Sequence, residues 1–342
     1  MRRREFAKSG LALGISALAA PQTARAQSAI PLKFVADFAL QGNHSVFTLG
    51  IERGHYLKEN LAVKLDRGYG SGDTIVKIAA GAYDIGFADV NAAVKFNAAN
   101  PDKRVISVYQ AFDRTLGAII TLAKSGIKTP ADLAGKILGA PEADAGRILF
   151  PVFAQKNNLA MDKVSWKSIA PNLRETILVQ GQVDAITGFM TTSIFNLVAA
   201  GVPRDQIVTL AYAKFGLNLY GNAVIVREDY LNAHPEIVAG FVRATIAGTK
   251  DAIKDPAAGM KSVLTYDPLF DTKLEAARFE MALNEAILTP YVRANGFGTV
   301  DPARMALTIA ANSEAYGITN PITPEQLYTT KFLPPLAERM PA

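Results

Sequence analysis

Beyond Pro31 the chain alternates short apolar runs with longer stretches whose apolar residues recur three or four apart, the two periods that separate strand from helix. Residues 32–36 read as a strand, 46–58 as a helix, 61–65 as a strand and 74–80 as a second helix. A buried strand at 85–88, a helix at 91–99 and a strand at 104–112 continue the series. Such alternation predicts a mostly parallel sheet with helices on both faces.

A second unit opens near Ile127, where Asp132 can start a short turn toward a strand at 136–140. A helix at 146–156, a strand at 164–169, a helix from Leu173 and a strand at 185–188 follow. Gly81-Ala82-Tyr83-Asp84-Ile85-Gly86-Phe87-Ala88 and Gly181-Gln182-Val183-Asp184-Ala185-Ile186-Thr187-Gly188 share one pattern. In each, a glycine ends a helix, a loop carries an aspartate, and a buried strand begins. The recurrence is either chance reuse of a common connection or a sign that two units share a topology. A strand at 223–226 precedes a helix opened by His234-Pro235, with Ile237, Phe241, Thr245, Ile246, Thr249 and Ile253 along one face. The pattern stays helical to Tyr316, and the tail carries Pro321, Pro324, Pro334 and Pro335.

Ahead of this lies Arg3-Arg4-Glu5-Phe6-Ala7-Lys8, the twin-arginine pattern R-R-x-F-x-K, then an apolar run at 11–20 and the A-x-A site Ala24-Arg25-Ala26. A run of about ten residues is too short to span a bilayer core. Residues 1–26 are therefore expected to be a signal peptide cleaved before Gln27, read by the twin-arginine route or, as the alternative, by ordinary Sec export. The leader also carries most of the charge: five of its residues are cationic against Glu5, so its removal lowers the net charge from +5 to +1. A near-neutral chain gives no argument for nucleic acid or an anionic membrane surface as partner. With no cysteine, disulfides, thiolate metal sites and a lipidated N-terminal cysteine are excluded. The expectation is free diffusion in a periplasm, and a chain of this length favours two lobes over one core.

Gly68-Tyr69-Gly70-Ser71-Gly72-Asp73 joins a strand to a helix. It suits either a ligand loop, with Ser71 and free N–H groups facing an oxygen of the ligand, or a plain capped turn. Asp37, Phe38, Gln41, Asn43 and His44 follow the first strand, where an open parallel sheet presents its ligand crevice. Asp37 can accept from an amino or ring N–H and Phe38 offers an aromatic face; the alternative is an Asx turn with Phe38 in the core. Asp89 ends the next strand, and Glu142, Asp144 and Arg147 surround the start of a helix in the second unit, facing the cleft or merely capping. Phe38 and Phe189 should face each other from opposite lobes. His44, His55 and His234 have no zinc-type spacing, and no G-x-S-x-G or H-E-x-x-H motif occurs, so no metal, cofactor or catalytic residue is expected.

Asp37-Phe38-Ala39-Leu40-Gln41-Gly42-Asn43-His44-Ser45-Val46 followed by Glu52-Arg53-Gly54-His55-Tyr56 resembles the D-W-x-P-N-x-x-H-x-G…(E/D)-x-G-Y-F opening of thiamine-pyrimidine-precursor-binding proteins. These are substrate-binding subunits of ABC importers, related to nitrate-, taurine- and alkanesulfonate-binding proteins. Asn60-Leu61-Ala62-Val63, Gly70-Ser71-Gly72, Ala79-Ala80-Gly81, Asp84-Ile85-Gly86 and Asp132-Leu133-Ala134-Gly135-Lys136 fall in order where that wider group has G-L-x-V, G-S, A-A-G, D-x-G and D-L-x-G-K. Asp37 and His44 match the opening motif; its tryptophan is Phe38 here, its Pro-Asn pair is Leu40-Gln41 and its last glycine is Val46. The eukaryotic pyrimidine-forming members carry a cysteine-rich motif that has no counterpart in this chain.

The resemblance implies an α/β periplasmic-binding-protein type II fold: two α/β lobes, a ligand cleft and two hinge crossings, near 113–126 and 212–222. The expected division is 27–118 for the first part of lobe one, 119–214 for lobe two, and 215–342 for the return to lobe one with C-terminal helices. It further implies a monomeric binder of a small molecule that delivers it to an inner-membrane ABC permease. Ligand-binding candidates are Asp37, Phe38, Gln41, Asn43, His44, Gly70, Ser71, Gly72, Asp73, Asp89, Glu142, Asp144 and Phe189. The carboxylates suit a donor-rich aminopyrimidine, whereas Ser71, His44 and Arg147 suit an aromatic carboxylate or sulfonate. An exported enzyme of the same fold and a sensory ligand-binding subunit are the rival readings.

Overall fold

The computed structural model describes residues 28–341; the expected signal peptide and twin-arginine pattern lie outside the described residues. The first sheet has the strand order β2-β1-β3-β10-β4, with β1 Ile30–Val35, β2 Leu61–Asp66, β3 Ile85–Asp89, β4 Val105–Gln110 and β10 Asn222–Arg227. The second has the order β7-β6-β8-β5-β9, with β5 Gly117–Leu122, β6 Ile137–Ala140, β7 Ser165–Ser168, β8 Ala185–Phe189 and β9 Ile207–Ala211. In each sheet the first three strands are parallel and one strand runs antiparallel between its neighbours: β10 between β3 and β4, β5 between β8 and β9. The antiparallel strand is the one that arrives from the other sheet.

The two sheets thus repeat one topology, and the recurrent segments occupy the same place in it. Gly81 and Gly181 both adopt positive φ at the end of a helix. One oxygen of Asp84 then accepts from the Lys33 N–H, and one of Asp184 from the Ile137 N–H, each at 2.8 Å on the neighbouring strand. The shared pattern is a capping device for the equivalent strands β1 and β6.

Helices cover both faces: α1 Ser45–Glu52, α2 Ser71–Ala79, α3 Val90–Ala99, α4 Ala145–Lys156, α5 Arg174–Val179, α6 Met190–Ala199, α7 Pro235–Lys254, α8 Thr272–Ala282 and α9 Pro302–Ala315, with a further helix at Pro256–Leu264 and short helical turns between. Double coverage explains why β3 and β4 are buried along their whole length instead of alternating. Phe34, Phe47, Phe87, Phe112 and Phe241 meet edge to face at centroid distances of 5.0–5.3 Å and anchor the first sheet to α1 and α7. Each such ring contributes about 1.5–3 kcal/mol by leaving water. No helix among the described residues is long and apolar enough to cross a membrane.

Two expectations change. The helix expected at 46–58 stops at Glu52, because Gly54 turns left-handed (φ 71°) before a separate turn at His55–Lys58. The first crossing is only 111–116 and not 113–126, because Gly117–Leu122 is already β5. It runs beside the second crossing, 212–221: Gly221 N–H donates to Phe112 C=O and Thr115 N–H to Leu219 C=O.

Candidate functional site

A cavity of about 20 Å³ lies between the two lobes at the carboxyl ends of their strands. Asp37, Phe38, Gly70 and Ser71 line it from the first lobe, and Asp144, Ala145, Arg174, Phe189 and Thr192 from the second.

On the first wall the chain turns sharply after β1, and the 68–70 loop lies on it: Gly68 N–H donates to Phe38 C=O and Gly70 N–H to Asp37 C=O. Asp37 is buried, with Oδ1 2.8 Å from His44 Nε2 and Oδ2 2.8 Å from Asn222 Nδ2. The Gln41 backbone N–H donates to His44 Nδ1, so Nε2 carries the ring proton and donates to Asp37. His44 therefore supports the carboxylate and does not line the cavity. Ser71 Oγ accepts from the Asp89 N–H at 3.0 Å, which leaves its hydroxyl proton free to donate. Asp89 stands behind it and caps α3, with Oδ1 accepting from both the backbone and the side chain of Asn91. Its other oxygen is buried without a partner, and burial pushes its pKa up to about 7 against the Asn91 bonds, with Asp37 and Asp144 adding to the rise.

On the second wall Asp144 caps α4: Oδ1 accepts from the Arg147 N–H (2.9 Å) and Thr187 Oγ1 (3.3 Å), and Oδ2 pairs with Arg174 Nη1 (2.9 Å). Burial raises the pKa of Asp144, and the Arg174 charge opposes the rise. Arg174, 1 % exposed, is held on its other edge by Glu175, and its guanidinium lies 5.5 Å from the Phe38 ring centroid across the cleft. Phe38 and Phe189 face the same cavity, one from each lobe.

The glycines act differently from expectation. Gly72 N–H donates to Ala143 C=O of the second lobe at 3.1 Å, and a Cβ on Gly70 would come within 2.5 Å of that same oxygen. Gly70 and Gly72 let the two backbones touch, and Gly72 does not line the cavity. Four further candidates are not brought there. Asp73 pairs with Lys77 one helical turn on, and Glu142 accepts from Ser168 Oγ, both along an outer groove. Asn43 is buried beneath the loop, and Gln41 bonds across the cleft to Thr192 and Asn196. Arg147 donates to Ala140 C=O and Ser168 and stacks on Trp166.

Arg174 and Thr192 were not among the expected residues. Arg174 carried a readable signal: it opens α5, where the helix dipole disfavours a cation unless carboxylates stand beside it. What results is a cavity with the Arg174 guanidinium against the carboxylates of Asp37 and Asp144, an aromatic ring on each wall, and a free hydroxyl donor at Ser71.

Comparison with known proteins agrees with this architecture. The chain is 24 % identical to the formylaminopyrimidine-binding protein of Halalkalibacterium halodurans, over 77 % of this chain and 79 % of that protein. It is also 24 % identical to the 4-amino-5-hydroxymethyl-2-methylpyrimidine phosphate synthase of Aspergillus parasiticus, over 73 % and 74 % of the two chains. The alkanesulfonate-binding protein of Xanthomonas axonopodis pv. citri has the same fold, with a TM-score of 0.67 at 16 % identity, over 87 % of this chain and 95 % of that one. Residues 41–259 match the family model described as NMT1/THI5 like, and the chain belongs to that family.

Proposed function

We propose that this chain is the exported solute-binding component of an ABC importer, which encloses a small aminopyrimidine-like heterocycle between its lobes and hands it to an inner-membrane permease. The observation that carries the reading is the pairing of facing walls: a carboxylate and an aromatic ring from each lobe converge on one small cavity between the lobes. In this role Phe38 and Phe189 sandwich the ring, while Asp37 and Asp144 accept from its amino and ring N–H groups. Ser71 donates to a ring nitrogen. The name of the Halalkalibacterium halodurans relative supports this ligand class. A cavity of about 20 Å³ is far below the roughly 300–1,000 Å³ of small-molecule pockets, so uptake requires the lobes to part about the two crossings. The leader, cleaved before Gln27, would place the mature monomer in the periplasm.

A catalytic reading draws on the relative named as a synthase. Against it, Asp37 and Arg174 are each held by two partners and Asp144 by three, an arrangement suited to fixed recognition more than to proton transfer. The test is a thermal-shift series with formylaminopyrimidine and 4-amino-5-hydroxymethyl-2-methylpyrimidine against alkanesulfonates and aromatic carboxylates. A ligand at a hundred times its Kd stabilises by about 2.7 kcal/mol. Stabilisation by the sulfonates alone would overturn the ligand class, and multiple-turnover conversion of a pyrimidine would overturn the binding role.

A further inference from the structure

Beside the cavity, on the flank formed by α6 and α8, a buried ion pair joins the lobes. Glu275 and Arg278 sit three residues apart on α8, and Arg278 Nε lies 3.0 Å from Glu275 Oε2. Both are almost wholly buried. Glu275 also accepts from the Gly42 N–H, which ties α8 to the first-lobe loop that carries Asp37, Phe38 and Gln41. The Gly42 Cα is so close to the Glu275 carbonyl that a Cβ would fall 2.1 Å from its oxygen. In the opposite direction Arg278 donates to the carbonyls of Thr191 and Thr192 and to Asn196 Oδ1, all on α6 of the second lobe. Its guanidinium also lies 5.4 Å from the Phe195 ring centroid. Gln41 closes the circuit: its amide accepts from Thr192 Oγ1 at 3.0 Å and donates weakly to Asn196.

We propose that Arg278 is a positioning residue that latches the second lobe onto the first and fixes Thr192 at the cavity wall. All the guanidinium edges that face the second lobe end on α6, whereas Glu275 stays with the first lobe when the lobes part. Opening removes the α6 carbonyls from Arg278 and leaves the charge with Glu275 alone; closure restores three charge-assisted hydrogen bonds. The latch biases the closed arrangement whatever the ligand is, and it rests on the binding-protein reading only for the role of Thr192.

The chain has no cysteine, so Lys64→Cys and Ser165→Cys, on the exposed edge strands of the two sheets, give a clean donor–acceptor dye pair. Single-molecule energy transfer on the labelled protein without added ligand reads the lobe separation directly. Arg278→Met should shift the open-to-closed ratio roughly tenfold toward open, and Arg278→Lys, which keeps charge but loses the fork, should fall between. Asn196→Ala removes a receiver on α6 without burying an unpaired charge, so it keeps the test sound if Arg278→Met folds poorly. It should open the protein in the same direction by less. Unchanged separation in folded Arg278→Lys and Asn196→Ala would overturn the latch and assign the pair to helix packing alone. Failure of pyrimidines to bind in the thermal-shift series would leave this measurement untouched.

Discussion

Past the end of β1, Asp37 is held by two neutral donors, His44 and Asn222; past the end of β6, the corresponding acid Asp144 is held by the guanidinium of Arg174. The two sheets share one topology, so both acids reach the cleft by the same geometric rule. Their support is not shared. A carboxylate between neutral donors keeps its charge available to a ligand, whereas one beside a buried guanidinium is already largely neutralised. In the proposed function the first wall would thus be the stronger acceptor for the ligand, and the second a charged platform beside which Phe38 lies.

The largest expected effect follows from that difference. Arg174→Met leaves Asp144 and Glu175 buried without their cation, and should cost about 3–5 kcal/mol of stability. The matching change on the first wall, Asn222→Ala, removes one neutral donor and should cost about 1–2 kcal/mol. Urea unfolding of the two variants beside the parent protein measures both. Equal losses would show that the walls are supported alike.

A smaller effect appears in binding. Asp37→Asn keeps an acceptor for His44 and turns an amide N–H toward Asn222, which can flip its own amide to present its unpartnered Oδ1, so folding should lose little. Affinity for an aminopyrimidine should fall by about 1–3 kcal/mol, read by titration calorimetry. Asp144→Asn should instead lower the melting temperature, because it leaves Arg174 with Glu175 alone. If both variants lose affinity without losing stability, the walls play the same part.

The alternation of strands and helices was legible in the chain because it rests on local signals: the Gly81–Asp84 and Gly181–Asp184 connections mark where a helix ends and a buried strand begins, whereas the strand each aspartate caps lies far off in sequence. That Asp37, Phe38, Ser71, Asp144 and Phe189 reach the cavity was legible for a related reason, since each follows a strand end that faces the cleft. Direction around a cap was not. Glu142 and Arg147 flank Asp144 in sequence, yet the cap turns only Asp144 inward and aims the others at Ser168. Asp73 turns to Lys77 in the same way. Contacts made between lobes, such as Gly72 to Ala143 and Gln41 to Thr192, depend on a closure geometry that no local pattern encodes.

A pH-dependent effect concerns the next pair of equivalent positions. Asp89 ends β3 and Phe189 ends β8, so the first sheet has a carboxyl group where the second has a ring. Burial raises the Asp89 pKa from 3.8 to about 7, so between those values the folded chain holds a proton that the unfolded chain releases. Stability from this group is full below pH 3.8 and is lost as pH rises toward 7, with a slope of at most about 1.4 kcal/mol per pH unit. Asp89→Asn keeps the cap on Asn91 and mimics the protonated acid, so it should flatten the slope between pH 5 and about 7 and leave the variant relatively more stable at pH 7. Urea midpoints of both proteins across that range decide it. A parent curve parallel to that of Asp89→Asn would mean that Asp89 is ionised throughout and that its unpartnered oxygen is solvated, which would set the charged end of β3 further apart from the ring that ends β8.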